Sequence, residues 1–444
     1  MISRGRISLQ AAGRCAVLYM VLVAYSAIYE HFYEYQLTPI VQDMFTAYDA
    51  SRSGIYTAIL FLTPLAILPI GTRLRSAGQF IAGSLAVLLF IPIPIVFVPM
   101  PSVQEYWEIY GLLWMGYLAL CTLSSLDVNI EVRRLADARY KGLLTLTFVI
   151  VGLGMIWVLA TDRVNLVGLN GAHEARTEIT VSGLKGYLLP SYVTSLGGLL
   201  LAAAAVYRRT YLIPLAMFGF LVCYATMEER TAAIMPFWLA YFYFAHKYIF
   251  RDSVTRYLLC IMAPFLLLVA VAAIIGTSDT KSVFYDLFTL AAYRVFSVPA
   301  IGFNLYDNFF HFNPHTYWSH ISLVSQFVGT PYKQPLAQVM EETYHMSSYN
   351  VSFLETDGVA AAGMLAIPWI CAVFGMMLMA INSCTRGLSL GLLALLMAGS
   401  SIALMDVGMG PGLLTNGLAL LALLLLFAPR RPPWAVKPGR SLTV

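Results

Sequence analysis

Residues 83–100, 263–276 and 413–428 contain no charged side chain at all, and this limits the fold before anything else is considered. A helix needs roughly 20 mostly apolar residues to cross the hydrocarbon core of a bilayer. Inside that core only helices and closed barrels satisfy every backbone N–H and C=O. The apolar runs here lack the strict alternation of barrel strands. Of the 444 residues, 59% are hydrophobic and 11% charged, whereas soluble domains carry about 25% charged residues. Little of the chain therefore needs a water-facing surface. The expected fold is all-α, a polytopic membrane protein.

The sequence predicts about twelve transmembrane helices, near residues 13–29, 53–71, 77–100, 109–126, 142–161, 187–207, 210–226, 231–249, 257–276, 358–381, 389–405 and 412–428. Their connections alternate in charge. Arg4, Arg6 and Arg14 precede the first span, Arg73 and Arg75 follow the second, and Arg133, Arg134, Arg139 and Lys141 follow the fourth. Arg208 and Arg209, Lys247 to Arg256, Arg386, and the tail with Arg430, Arg431, Lys437 and Arg440 continue the basic series. The intervening connections are acidic or mixed. Basic connections stay in the cytoplasm, so both termini are expected there. This gives nine spans over residues 1–276, a large loop on the other side over 277–357, three spans over 358–428 and a cytoplasmic tail over 429–444. The first apolar stretch lacks a small-residue cleavage site and reads as a retained helix.

The long loop is rich in aromatic residues, among them Phe284, Tyr285, Tyr293, Phe296, Phe303, Tyr306, Phe309, Phe310, Tyr317 and Trp318. Disorder requires low hydrophobicity, so this segment is expected to form amphipathic helices lying on the outer face and roofing a cavity. Loops of this length in a compact protein are usually functional. No internal repeat is visible, which weighs against a transporter built from two related halves.

Candidate functional residues lie on that same side. Arg230, in Glu228-Glu229-Arg230-Thr231 at the mouth of a helix, could bind an anion, since a helix N-terminus and a guanidinium both favour negative charge; pairing with its acidic neighbours is the plainer reading. Arg294 is a lone charge in an apolar stretch, a functional hypothesis at membrane depth or an interfacial anchor. Together the two arginines could neutralise a diphosphate. His315 and His320 could serve as a general base, because histidine titrates near working pH; either could equally be a structural hydrogen-bonder. Glu355 and Asp357 stand just before a span, where they could act as a base or simply favour the helix dipole. Asp307, Glu341 and Glu342 read as solvated.

Neither a metal set nor a cofactor motif is expected. The six cysteines (Cys15, Cys121, Cys223, Cys260, Cys371 and Cys384) contain no CxxC pair and fall in or beside apolar spans, which marks them as small packing residues. No basic tract suggests nucleic-acid binding.

Three short motifs carry a resemblance. Glu229-Arg230-Thr231-Ala232, Tyr293-Arg294 and the run from Asn350 to Gly363 (NVSFLETDGVAAAG) are similar to elements of bacterial Wzy-type O-antigen and exopolysaccharide repeat-unit polymerases. More distantly, they resemble O-antigen ligases. The likeness extends to the topology of the whole chain. It implies a GT-C-type glycosyltransferase of the bacterial inner membrane, acting on the periplasmic side without metal or cofactor. An undecaprenyl-diphosphate-linked glycan would be polymerised from lipid-linked repeat units with inversion, and a chain-length regulator (a copolymerase) is a candidate partner. Arg230, Arg294, Asn350 and Asp357 would bind the diphosphate. Tyr349 stands where a ligase-type histidine would precede the asparagine, which moves the base to His315, His320 or Glu355. A flippase or transporter of lipid-linked oligosaccharide is the alternative, and an O-antigen ligase a third.

Overall fold

The computed structural model describes residues 2–37, 48–128, 134–162, 183–227, 230–275, 298–321, 324–344 and 353–429. Among them the regular structure is entirely helical, with one isolated backbone bridge between Arg73 and Ser253. In chain order the helices are α1 (Ile2–Phe32), α2 (Ser53–Ile67), α3 (Ala77–Leu85), α4 (Pro92–Phe97), α5 (Val103–Ser124) and α6 (Asp137–Thr161). They continue with α7 (Lys185–Ser191), α8 (Gly197–Tyr207), α9 (Leu212–Met227), α10 (Arg230–Ala245), α11 (Val254–Ile275) and α12 (Val298–Phe312). The last six are α13 (Leu336–Tyr344), α14 (Leu354–Ala362), α15 (Ile367–Thr385), α16 (Leu390–Asp406), α17 (Met409–Leu413) and α18 (Leu418–Leu426).

Among the described residues seven helical stretches are long and apolar enough to cross a membrane: Leu9–Tyr35, Ala50–Ile70, Ala77–Phe97, Asp137–Thr161, Lys185–Tyr207, Val254–Val271 and Met364–Thr385. Helices α9 and α16 are apolar but shorter. Helix α6 shows what surrounds them. Leu146, Val149, Ile150, Leu153, Ile156 and Trp157 line one face and are exposed. Their spacing of three and four residues makes a continuous apolar stripe, a surface suited to lipid rather than water.

Without a hydrophobic force between helices in lipid, close packing and hydrogen bonds must hold them together. The most intimate pair is α5 with α15. Gly116 lies against Cys371 and Ile367, and Gly375 against Leu123 and Leu120, where an added Cβ would come within 2.9–3.4 Å of its neighbours. At the far end of this pair Asn382 ties three segments together. Its Oδ1 accepts from the Gly78 N–H (2.7 Å), and its Nδ2 donates to Ser124 O (2.8 Å) and Leu126 O (2.7 Å). Nearby, Gln79 is saturated: Oε1 accepts from the N–H groups of Arg75 and Ser76, while Nε2 donates to Ile70 O and Arg73 O. The same end joins residues 72–74 to 252–254 by backbone bonds, and Leu135 to Phe427.

Two expected spans are broken. The stretch read as one helix from residue 358 is divided at Gly363, which turns the chain at φ +76°; α14 before it is a separate short helix packed back against α15. The stretch 412–428 is divided between α17 and α18 at Leu414–Asn416, with Gly417 at φ +73°. Hydropathy cannot register such breaks, because the residues on either side remain apolar. The cysteines of the described chain are free, and Cys121, Cys223, Cys260 and Cys371 are buried.

Replacing Asn382 by Leu should orphan the buried Gly78 N–H, at about 1–3 kcal/mol, and take a donor from both Ser124 O and Leu126 O. The temperature at which buried Cys121 and Cys371 become reactive to a thiol dye should fall by several degrees. An unchanged midpoint would show that these bonds contribute nothing net.

Candidate functional site

The site is organised around α14. A helix of nine residues leaves carbonyls free at its C-terminal end that must find partners if buried. The outer segment supplies them. Thr316 donates through its backbone N–H (2.8 Å) and its hydroxyl (3.0 Å) to Ala360 O, and the Tyr317 N–H donates to Ala361 O (3.1 Å). The segment bends sharply to do this: Tyr317 and Trp318 have φ of 48° and 67°, a conformation uncommon for bulky residues and typical of functional constraint.

This docking fixes a histidine. Thr316 Oγ1 and His320 Nδ1 lie 2.7 Å apart. Because the hydroxyl proton goes to Ala360, the oxygen can only accept, so the imidazole carries its hydrogen on Nδ1. In the neutral ring Nε2 then keeps its lone pair. Among the described residues it is buried without a hydrogen bond and lies 3.5 Å from Asp357 Oδ1, with the two side chains 11% and 4% exposed. Asp357 is held from the other side by the Met409 N–H at the start of α17, at 2.6 Å from Oδ2. Gly408 must be glycine, since a Cβ there would sit 2.1 Å from Oδ1. His320 also lines a cavity of about 170 Å³ together with Tyr187, Ile321, Gln326, Pro411 and Thr415. A water molecule occupies about 30 Å³, so the cavity suits a few waters or a hydroxyl-bearing group.

The cavity abuts the break between α17 and α18. Carbonyls released there are taken by hydroxyls from the α7 region: Ser191 donates to Thr415 O (2.7 Å), while Thr194 (2.6 Å) and Ser195 (2.7 Å) donate to Asn416 O. Irregular backbone among apolar helices is tolerated only with such partners.

His315 occupies a different environment. Its ring stacks on Phe310 (centroids 5.8 Å apart, planes at 19°) and covers Gly363, and among the described residues its buried Nδ1 has no partner. Glu355 faces inward from the first turn of α14, fully buried and close to Tyr117 of α5; burial pushes its carboxyl up to about 7. Asp307 differs from the solvated side chain expected: partial burial, with Glu105 adding to the effect, pushes it up to about 6 against the opposing influence of His311.

Four of the expected site residues (His315, His320, Glu355 and Asp357) thus gather on α14 and the segment capping it. Arg230 opens α10, but its side chain lies outside the described residues, as do Arg294 and Asn350 entirely. Among the described residues no group of three or more His, Cys, Asp or Glu side chains is disposed to hold a metal ion. Sequence reasoning missed Thr316, Gly408 and Tyr117. Signals for the first two existed: Thr316 stands four residues before His320, and Gly408-Met409-Gly410-Pro411-Gly412 is the kind of glycine cluster that permits close backbone approach. Tyr117 gave none. Comparison with protein-family models, curated proteins and solved structures finds no match.

Thr316→Val should remove the acceptor that selects the His320 tautomer. Nitrogen NMR of histidine-labelled protein should show one neutral imidazole locked with hydrogen on Nδ1 in the wild type. That signal should be lost in Thr316→Val and retained in Thr316→Ser. An unaltered spectrum in the valine variant would refute the assignment.

Proposed function

We propose that this chain is a glycosyltransferase of the bacterial inner membrane that polymerises undecaprenyl-diphosphate-linked oligosaccharide repeat units on the periplasmic side. The observation that carries the reading is the oriented His320, with Asp357 beside its Nε2 and a small cavity lined by the same residue, beneath a folded aromatic segment. In this scheme an acceptor hydroxyl enters the cavity and His320 Nε2 takes its proton. The oxygen attacks the anomeric carbon of the donor as the bond from that carbon to the diphosphate oxygen breaks, with inversion. The imidazolium so formed is stabilised by Asp357, 3.5 Å away. A positioned base of this type contributes about 10²–10⁴-fold. Arg230 and Arg294 are assigned to the departing diphosphate, as electrostatic stabilisation of a leaving group requires. Asp357 fits a supporting role better than phosphate contact, since a buried anion already engaged by Met409 repels another anion.

The topology proposed with this function has twelve crossings and both termini in the cytoplasm. Supporting it, the basic connections around Arg73, Arg251 and Arg134 meet at the end of the bundle joined by Asn382 and the 72–74 to 252–254 pairing. Two further features favour a second reading, a flippase of lipid-linked oligosaccharide: the buried Glu355, and helices broken at Gly363 and Gly417, both of which recur in transporters. An O-antigen ligase would use the same groups on a different acceptor.

Arg230→Ala, Arg294→Ala and His320→Ala should each leave the protein inserted and abolish long-chain polysaccharide on a gel, with single repeat units remaining. Normal ladders in all three would remove the assignment. Accumulated lipid-linked polymer would instead indicate a ligase, and loss of both polymer and capped single units a flippase.

A further inference from the structure

Glu355 has no part in the reaction above, yet its surroundings are the least ordinary in the molecule. Its exposure is 0%, and among the described residues neither carboxyl oxygen completes a hydrogen bond. Tyr117 faces it from α5, itself fully buried, with a hydroxyl that likewise completes no regular hydrogen bond. The other titratable groups around it are Cys371 from α15, Cys121 from α5, and Asp357 on the same helix. The elements packed on the outer part of α14 contribute Tyr306 from α12, and His315 and His320 from the capping segment, all of which lie toward Asp357 or Gly363. No cation among the described residues acts on the Glu355 carboxyl.

A carboxylate here could accept the single Tyr117 proton and would still carry a full charge and unfilled lone pairs without water. Such a group takes a proton rather than stay ionised. As a neutral acid it both donates and accepts, as does the phenol, so one added proton lets the two orphaned groups satisfy each other.

We infer that Glu355 and Tyr117 form a buried proton-binding site whose occupancy holds α14 in its seat against α5 and α15. The proton is the ligand. Its release leaves a carboxylate that must be rehydrated, which unseats the helix whose other residues, Asp357 and Ala360, position His320. The site therefore couples proton loading in the interior to the geometry of the candidate active site, whatever reaction that site performs.

The test is infrared spectroscopy of the full chain in lipid nanodiscs, read without any assay of glycan synthesis. A protonated-carboxyl band should be present at mildly acid pH, disappear with a midpoint near 7, be absent in Glu355→Gln and shift in Tyr117→Phe. Thermal unfolding gives an independent reading. The folded-state value is raised from 4.5 to about 7, so the native state binds this proton more tightly than the unfolded chain does. The stabilisation is complete below the unfolded value and is lost as pH rises through the folded one. The wild-type unfolding temperature should therefore drop across that interval, and the drop should be smaller in Glu355→Gln. A carboxylate signal from Glu355 at mildly acid pH would reveal a counter-charge and overturn the inference, as would an equal pH slope in both proteins. Should the glutamine variant fail to accumulate, Tyr117→Phe decides alone: an unmoved band excludes the pairing.

Discussion

Backbone polar groups cannot be left bare among apolar helices, and the form of this molecule follows from how that demand is met where helices stop. Each unsatisfied group in such surroundings costs several kcal/mol. The chain stops twice in its C-terminal third. At Gly363 the free carbonyls of α14 draw in Thr316 and Tyr317; at Gly417 the carbonyls of Thr415 and Asn416 draw in Ser191, Thr194 and Ser195. Both breaks thereby recruit distant parts of the chain. The cavity lies where the two recruited segments approach each other.

The same hydrogen bonds arrange the candidate site. Thr316 spends its proton on a helix end, which leaves its oxygen to accept from His320 Nδ1. Met409 caps its short helix with Asp357, which places a carboxylate beside His320 Nε2. A structural need and the geometry of the candidate site are met by one set of contacts. On the other side of α14 Glu355 faces Tyr117, and among the described residues neither carboxyl oxygen completes a hydrogen bond. One short helix thus carries a buried acid at one end and the support for a base at the other.

What could be read in advance divides along the range of the interactions. Apolar length is local, so the helical, membrane-suited character of the chain was legible from runs such as residues 83–100, and α3 with α4 occupies that run. The aromatic segment was expected to form amphipathic helices over a cavity, and α12 and α13 flank the turn that carries His320. The helix breaks were not legible. Gly363 and Gly417 look like ordinary glycines in apolar sequence, and it is packing against His315 and Ser191 that makes them turns.

The sequence by itself determined the solvent: with so few charges and such long apolar runs, the polar backbone could be satisfied only inside helices. It also determined which residue types stand near one another along the chain, including the pair Glu355 and Asp357. Only the tertiary structure decided that these two acids, two residues apart, have opposite situations. Asp357 meets an N–H and an imidazole brought from 52 and 37 positions away, while Glu355 meets a phenol from α5 at a fully buried position. A carboxyl group's state depends on what surrounds it within a few ångströms, and that neighbourhood is set by which helices pack together rather than by the residues beside it in the chain.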